Sequence, residues 1–107
     1  MLGTHIIGVI NGKNLDLSNI DQKITKAANL TGLKIVRKAS YRFSSNKGAT
    51  YCFILSQSHL IIHTWPEKDS IAFDLFTCGG KGMGLKAVRR IAEYTNGKIK
   101  KLKTIRL

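Results

Sequence analysis

The chain has 107 residues, carries 18 Lys and Arg against six Asp and Glu for a formal net charge of +12, and is 43% hydrophobic. That length holds a single domain, residues 1–107, with one core and little room for an enclosed pocket, so an enzyme this small is expected to share its site between subunits. No window approaches the ~18 apolar residues of a membrane span, and Met1 to His5 lacks the charged start of a secretory signal. A cytoplasmic chain without a membrane partner is expected.

His5 to Ile10 is an apolar run suited to a buried strand, broken by Asn11-Gly12. Ser18 stands three residues before Asp21 and reads as an N-cap with an acidic first turn. Ile20, Ile24, Ala27, Ala28 and Thr31 follow at helical spacing, and Gly32 closes that helix. Leu33 to Tyr41 is a second strand. The polar loop from Phe43 to Gly48 leads into a third, Thr50 to Ser56.

The next stretch, Ser56 to Glu67, gathers two serines, two histidines and the only tryptophan and proline. Ser58 to Trp65 reads as a fourth strand, with Leu60 and Ile62 on one face and His59, Ile61 and His63 on the other. Pro66, lacking an N–H, ends it and leaves Glu67 at its mouth. The Ser56-Gln57-Ser58 link carries almost no turn signal, and so abrupt a join invites a strained peptide bond. A hydroxyl, an imidazole five residues on and a carboxylate at the strand end point to chemistry rather than packing.

Ser70 to Thr77 is a fifth strand, with Ile71, Phe73 and Leu75 opposite Asp74. The glycine-rich run from Cys78 to Gly84 opens a second helix with an apolar stripe of Leu85, Val88, Ile91 and Ala92 and a stop at Gly97. Such a loop can cradle phosphate, but this one matches neither the P-loop nor the dinucleotide fingerprint. Residues 98–106 form the last strand. Cys52 and Cys78 make no metal-ligand spacing, so no metal is expected and both thiols are read as free. The order β-α-β-β-β-β-α-β implies an α+β fold: a two-layer sandwich of a mostly antiparallel sheet with two helices on one face, leaving the other free to meet a second sheet.

The basic excess is densest over Lys98 to Arg106, where lysines alternate with Ile99 and Leu102, as on a solvated strand face. Charge alone also supports non-specific phosphate binding. No aromatic RNA-binding motif, helix-turn-helix or zinc spacing makes a specific nucleic-acid module of it.

Ser58-His-Leu-Ile-Ile-His-Thr-Trp-Pro-Glu67, followed after eight residues by Phe76-Thr-Cys-Gly79, resembles the self-processing S-adenosylmethionine decarboxylases of bacteria and archaea. Leu2 to His5 and Gly48-Ala-Thr50 are similar to that family's opening and to its segment before the cleavage strand. The resemblance implies that Ser58 attacks the carbonyl of Gln57, where the family usually has Glu. The chain then divides into residues 1–57 and 58–107, and Ser58 becomes a pyruvoyl group. His63 falls where the family has its processing base, and Thr50 where a hydroxyl assists.

The pyruvoyl ketone then takes the substrate amine as a Schiff base and accepts the electrons left by carbon dioxide, without PLP or a metal. Cys78 corresponds to the proton donor at that carbon, a role not required for the acyl shift. Glu67 corresponds to the carboxylate that holds the substrate's ribose, and Phe43 offers a surface for adenine. The family forms homodimers with sheets stacked and helices outside, a four-layer αββα assembly. Its product is the aminopropyl donor of spermidine synthesis. Relatives of this family decarboxylate arginine or ornithine, and Glu67 suits a guanidinium or ammonium equally, so those are the alternative to S-adenosylmethionine, which the resemblance with Glu67 and Phe43 favours. A catalytically dead, basic nucleic-acid-binding homologue is the reading from a different class.

Overall fold

The computed structural model describes residues 2–44, 47–78 and 82–107. Its elements run in order β1 (Thr4–Asn11), α1 (Ile20–Leu30), β2 (Ile35–Arg42), β3 (Ala49–Leu55), β4 (Ser58–Trp65), a short 3-10 turn (Pro66–Lys68), β5 (Ser70–Thr77), α2 (Met83–Tyr94) and β6 (Lys98–Arg106). The strands form one sheet in the order β2-β3-β4-β5-β1-β6, and every neighbouring pair is antiparallel. This is the α+β sandwich expected from the order of elements.

Period-2 alternation decides which face is covered. On β4 and β5, Leu60, Ile62, Ile71, Phe73 and Leu75 are buried while their neighbours are half-buried. They share one core with Ile24 and Ala28 of α1 and with Val88 and Ile91 of α2. Both helices therefore lie on that face, and no helix of the described residues covers the other. Apolar Ile7, Val9, Ile61 and Phe76 on the uncovered face are only half-buried. The apolar run in β1 is thus not buried throughout: only Ile6 and Ile10 are in the core.

Helix ends depart from the sequence reading in instructive ways. Ser18 does not cap α1. Its hydroxyl and N–H both donate to Asp16 Oδ1, at 2.6 and 2.9 Å, and left-handed Asn19 takes the cap position without a side-chain bond. Those two bonds, helped by Lys23, hold the Asp16 carboxyl down at about 2. Gly32 does close α1, at φ +83°, with Leu33 N–H donating to Ala28 O and Gly32 N–H to Asn29 O. On α2 the left-handed residue is Asn96 (φ 58°), one before the expected Gly97. Gly97 lies beyond it, where a Cβ would come within 2.6 Å of Ile10 Cγ2. Leu85 is half-buried, and Gly84 and Ala87 take its place in the apolar stripe.

The sheet's two edges are basic. Strands β2 and β6 carry Arg37, Lys38, Arg42, Lys98, Lys100, Lys101, Lys103 and Arg106, eight of the eighteen cations. Charged edges oppose edge-to-edge pairing with another chain, which accounts for much of the excess without a nucleic-acid partner. The odd spacing of Ile99 and Leu102 is reconciled by a bulge: Ile10 pairs with Ile99 but Val9 with Lys101, so both apolar residues turn to the helix side.

Gly8 sits at that bulge, where an added Cβ would lie 2.1 Å from the Lys101 carbonyl oxygen and 2.7 Å from Phe73 Cζ. Backbone cannot yield as a side chain does, so Gly8→Ala is expected to cost about 3 kcal/mol of stability. The check is the urea midpoint, and a wild-type value would show that β6 does not need this close approach.

Candidate active site

Strands β3 and β4 are joined by only Ser56 and Gln57, with Leu55 paired to Ser58. No cis peptide and no left-handed residue lies between Leu55 and Ser58. What marks the join is its neighbour. The Cys78 thiol, just beyond β5, donates to the main-chain carbonyl oxygen of Gln57 at 3.1 Å and lies 3.4 Å from Gln57 Oε1. That carbonyl belongs to the Gln57–Ser58 bond. Cys78, expected to act only after the acyl shift, thus already touches the carbonyl of that bond in the uncleaved chain. Gly79, Gly80 and Lys81 lie outside the described residues, and with them the phosphate reading of that loop.

Two other expected residues meet farther along the open face. Thr50 on β3 and His63 on β4 are direct cross-strand partners, with Thr50 Oγ1 2.9 Å from His63 Nδ1. Ser58 and His63 are not brought together. Five residues at the rise of an extended strand separate them by about 16 Å, so within one chain this imidazole is out of range of Ser58.

Glu67 and Phe43 lie at the far end again. Glu67 is exposed on the 3-10 turn that Pro66 begins. Phe43 is flanked by Tyr41 and Trp65, ring centroids 5.9 and 6.5 Å away. Trp65, 37% exposed, joins the site candidates, though sequence reasoning found it no role beyond ending β4. Its signal was its place two residues before Glu67. Between the two ends runs a trough of about 500 Å3 on the open face, lined among others by Val9, His63, Ala72, Asp74 and Lys101.

One cluster escaped sequence reasoning altogether. His5 of β1 and His59 of β4 both direct Nε2 at Asp74 Oδ1 of β5, at 2.7 and 3.0 Å. Partial burial raises the Asp74 carboxyl, but the two imidazole bonds outweigh it and the net shift is downward. The signal was register: His5 and His59 both pair with Phe76, two residues from Asp74.

The architecture is that of a known class of small carboxy-lyases. Residues 6–106 match the family model described as S-adenosylmethionine decarboxylase, and the chain belongs to that family. It is 34% identical to the S-adenosylmethionine decarboxylase proenzyme of Prochlorococcus marinus (strain MIT 9211) over 99% of this chain and 89% of that protein. It is 39% identical to the proenzyme of the same name from Acetivibrio thermocellus, over 75% of this chain and 67% of that one. The crystal structure of the adenosylmethionine decarboxylase from Aquifex aeolicus VF5 superposes with a TM-score of 0.76 at 27% identity, covering 96% of this chain and 86% of the other. No helix among the described residues is long and apolar enough to cross a membrane.

Proposed function

We propose that this chain is a decarboxylase of S-adenosylmethionine that makes its own pyruvoyl group by cleaving itself between Gln57 and Ser58. The observation that carries the reading is the Cys78 thiol on the Gln57 carbonyl. A donor held on that oxygen polarises the bond the chemistry must break and stabilises the charge that develops there. The Ser58 Oγ attacks the Gln57 carbonyl carbon, the C–N bond gives way, and the freed amine takes the proton, leaving an ester. Removal of the Ser58 α-proton then expels the Gln57 carboxylate from Cβ. Hydrolysis of the resulting imine releases ammonia and leaves a ketone at residue 58. The products are residues 1–57 and 58–107.

His63 is the base in this scheme. When the Thr50 hydroxyl accepts from Nδ1–H, Nε2 carries the lone pair that takes the proton. Because about 16 Å of strand separates His63 from its own Ser58, the imidazole is supplied by a second copy. Two chains facing across their uncovered sheets, running in opposite directions, lay the Thr50–His63 end of one over the Ser58–Cys78 end of the other. A two-fold axis makes two such sites. The half-buried apolar residues of the open face support that stacking, which gives the four-layer αββα dimer.

The pyruvoyl group, once formed, supplies an electrophilic carbonyl that takes up the electron pair left by carbon dioxide, as PLP does elsewhere. This chain's own residues do the rest. Cys78 returns a proton to the substrate carbon. Glu67 holds the ribose hydroxyls, and Phe43 with Trp65 offers aromatic surface to the adenine. The relatives' names favour the nucleoside over arginine or ornithine. The product then serves as the aminopropyl donor for spermidine, in the cytoplasm.

Removing the thiol tests its part in cleavage. Losing one weak donor from the reacting oxygen is expected to slow self-cleavage about tenfold in Cys78→Ala, with Cys78→Ser closer to wild type. Time courses of freshly synthesised chain on denaturing gels give the rates. Wild-type cleavage in the alanine variant would make the contact incidental.

The shared site is tested by complementation. Ser58→Ala and His63→Ala chains are expected to be inactive alone. Expressed together, only the His63→Ala chain should be cleaved, and random pairing restores about a quarter of wild-type sites. Activity is read as labelled carbon dioxide from S-adenosylmethionine, arginine and ornithine offered separately. No cleavage in the mixture would return the base to its own chain. Turnover of arginine or ornithine alone would recast Glu67 as the partner of a side-chain cation.

A further inference from the structure

The His5–Asp74–His59 cluster has no role in the scheme above. It spans three adjacent strands, β1, β5 and β4, on the face that no helix covers. Its three donor atoms lie within 4.8 Å of one another. The rings are held in place by a shared neighbour, since Phe76 pairs across the sheet with both His5 and His59. His59 stacks on that phenyl at 6.2 Å and 28°, and His5 meets it edge-on at 6.3 Å and 72°. Both imidazoles are thereby turned with Nε2 toward the same carboxylate oxygen.

We propose that His5 Nε2, His59 Nε2 and Asp74 Oδ1 form a binding site for a divalent transition-metal ion of the zinc type, with remaining coordination positions turned toward the space between the stacked sheets of the proposed dimer. Two imidazoles and one carboxylate are a ligand set for zinc and its neighbours, and a poor one for calcium or magnesium, which take mainly oxygen ligands. Ligands of tetrahedral zinc stand about 3.3 Å apart at ordinary bond lengths. The imidazole–carboxylate distances of 2.7 and 3.0 Å have to open by a few tenths of an ångström, and the two imidazole nitrogens, in a set spanning up to 4.8 Å, have to close toward the same spacing by side-chain rotation. Protons hold the three groups together without the ion, and the ion replaces them. The side chains are 30%, 40% and 40% exposed for His5, Asp74 and His59 in the single chain, so an ion reaches them before two chains stack or from the rim of the stacked sheets. Lys101 and Lys103 line the trough beside Asp74, but neither forms an ion pair with it among the described residues. His59 follows Ser58 directly, so a bound ion would fasten β1 and β5 to the start of the strand that bears the cleaved bond.

The site is independent of the decarboxylase reading and is tested without activity. Untagged, chelator-treated wild-type protein is titrated with zinc chloride by calorimetry and with cobalt chloride by absorbance. One ion per chain is expected, with the intense visible bands of four- or five-coordinate cobalt and a melting temperature raised by zinc. Asp74→Asn and His5→Gln should each weaken zinc at least tenfold, and Cys78→Ser should leave it unchanged. In wild type, imidazole nitrogen NMR should show zinc moving the signals of His5 and His59 and not that of His63. Absence of binding, equal binding in the Asp74 and His5 variants, or a shift confined to His63 would overturn the site. The NMR and cobalt spectra decide the matter even where a variant fails to fold.

Discussion

The rise of an extended strand governs this molecule. Strand β4 carries Ser58 at its start and His63 five residues on, and Glu67 follows its end. At roughly 3.3 Å per residue, groups that are neighbours in sequence are spread along most of the sheet. Antiparallel pairing on both sides of β4 fixes that spread in register, from Leu55–Ser58 to Ala49–Thr64 on one side and from His59–Phe76 to Trp65–Ser70 on the other. No rotamer change brings the two ends together. A single chain thus holds two separate groups of candidate residues on one open face, and the proposed second copy would bring them together.

The two groups differ in what holds them. At the Ser58 end, the short link between β3 and β4 leaves the Gln57 carbonyl free of the sheet's ladder, and the thiol beyond β5 reaches it. Helix α2 lies close over β1 and β5. Gly84 permits this, since a Cβ there would stand 2.8 Å from Ile6 Cδ1. At the other end, the Thr50–His63 pair is built into the register itself, one hydroxyl directly across from one imidazole. The first is marked by a thiol beyond the end of β5 and the second by strand pairing.

Much of this was legible in the residues. Alternation on β4 and β5 gave the buried face correctly, and Pro66 and Gly32 gave two boundaries, because these signals are local and each has a single steric cause. The Ser18 cap failed because another local acceptor, Asp16, captured the hydroxyl first. The Gly97 stop was off by one because asparagine also tolerates the left-handed region, and the glycine was needed for its lack of a side chain against Ile10. The His5–Asp74–His59 cluster joins residues 69 and 15 positions apart and exists only through β1 entering between β5 and β6. No spacing along the chain announces it. His63 was assigned by position in a motif, and only the strand's length shows that its own serine lies beyond reach.

The central claim is that the bond held by Cys78 is one the protein breaks by itself. The intact mass of purified protein under denaturing conditions tests it most directly. The account predicts two species: residues 1–57 ending in a free carboxyl, and residues 58–107 lighter by one ammonia than a serine-initiated fragment. A single full-length mass in a preparation that nevertheless releases carbon dioxide from S-adenosylmethionine would contradict it.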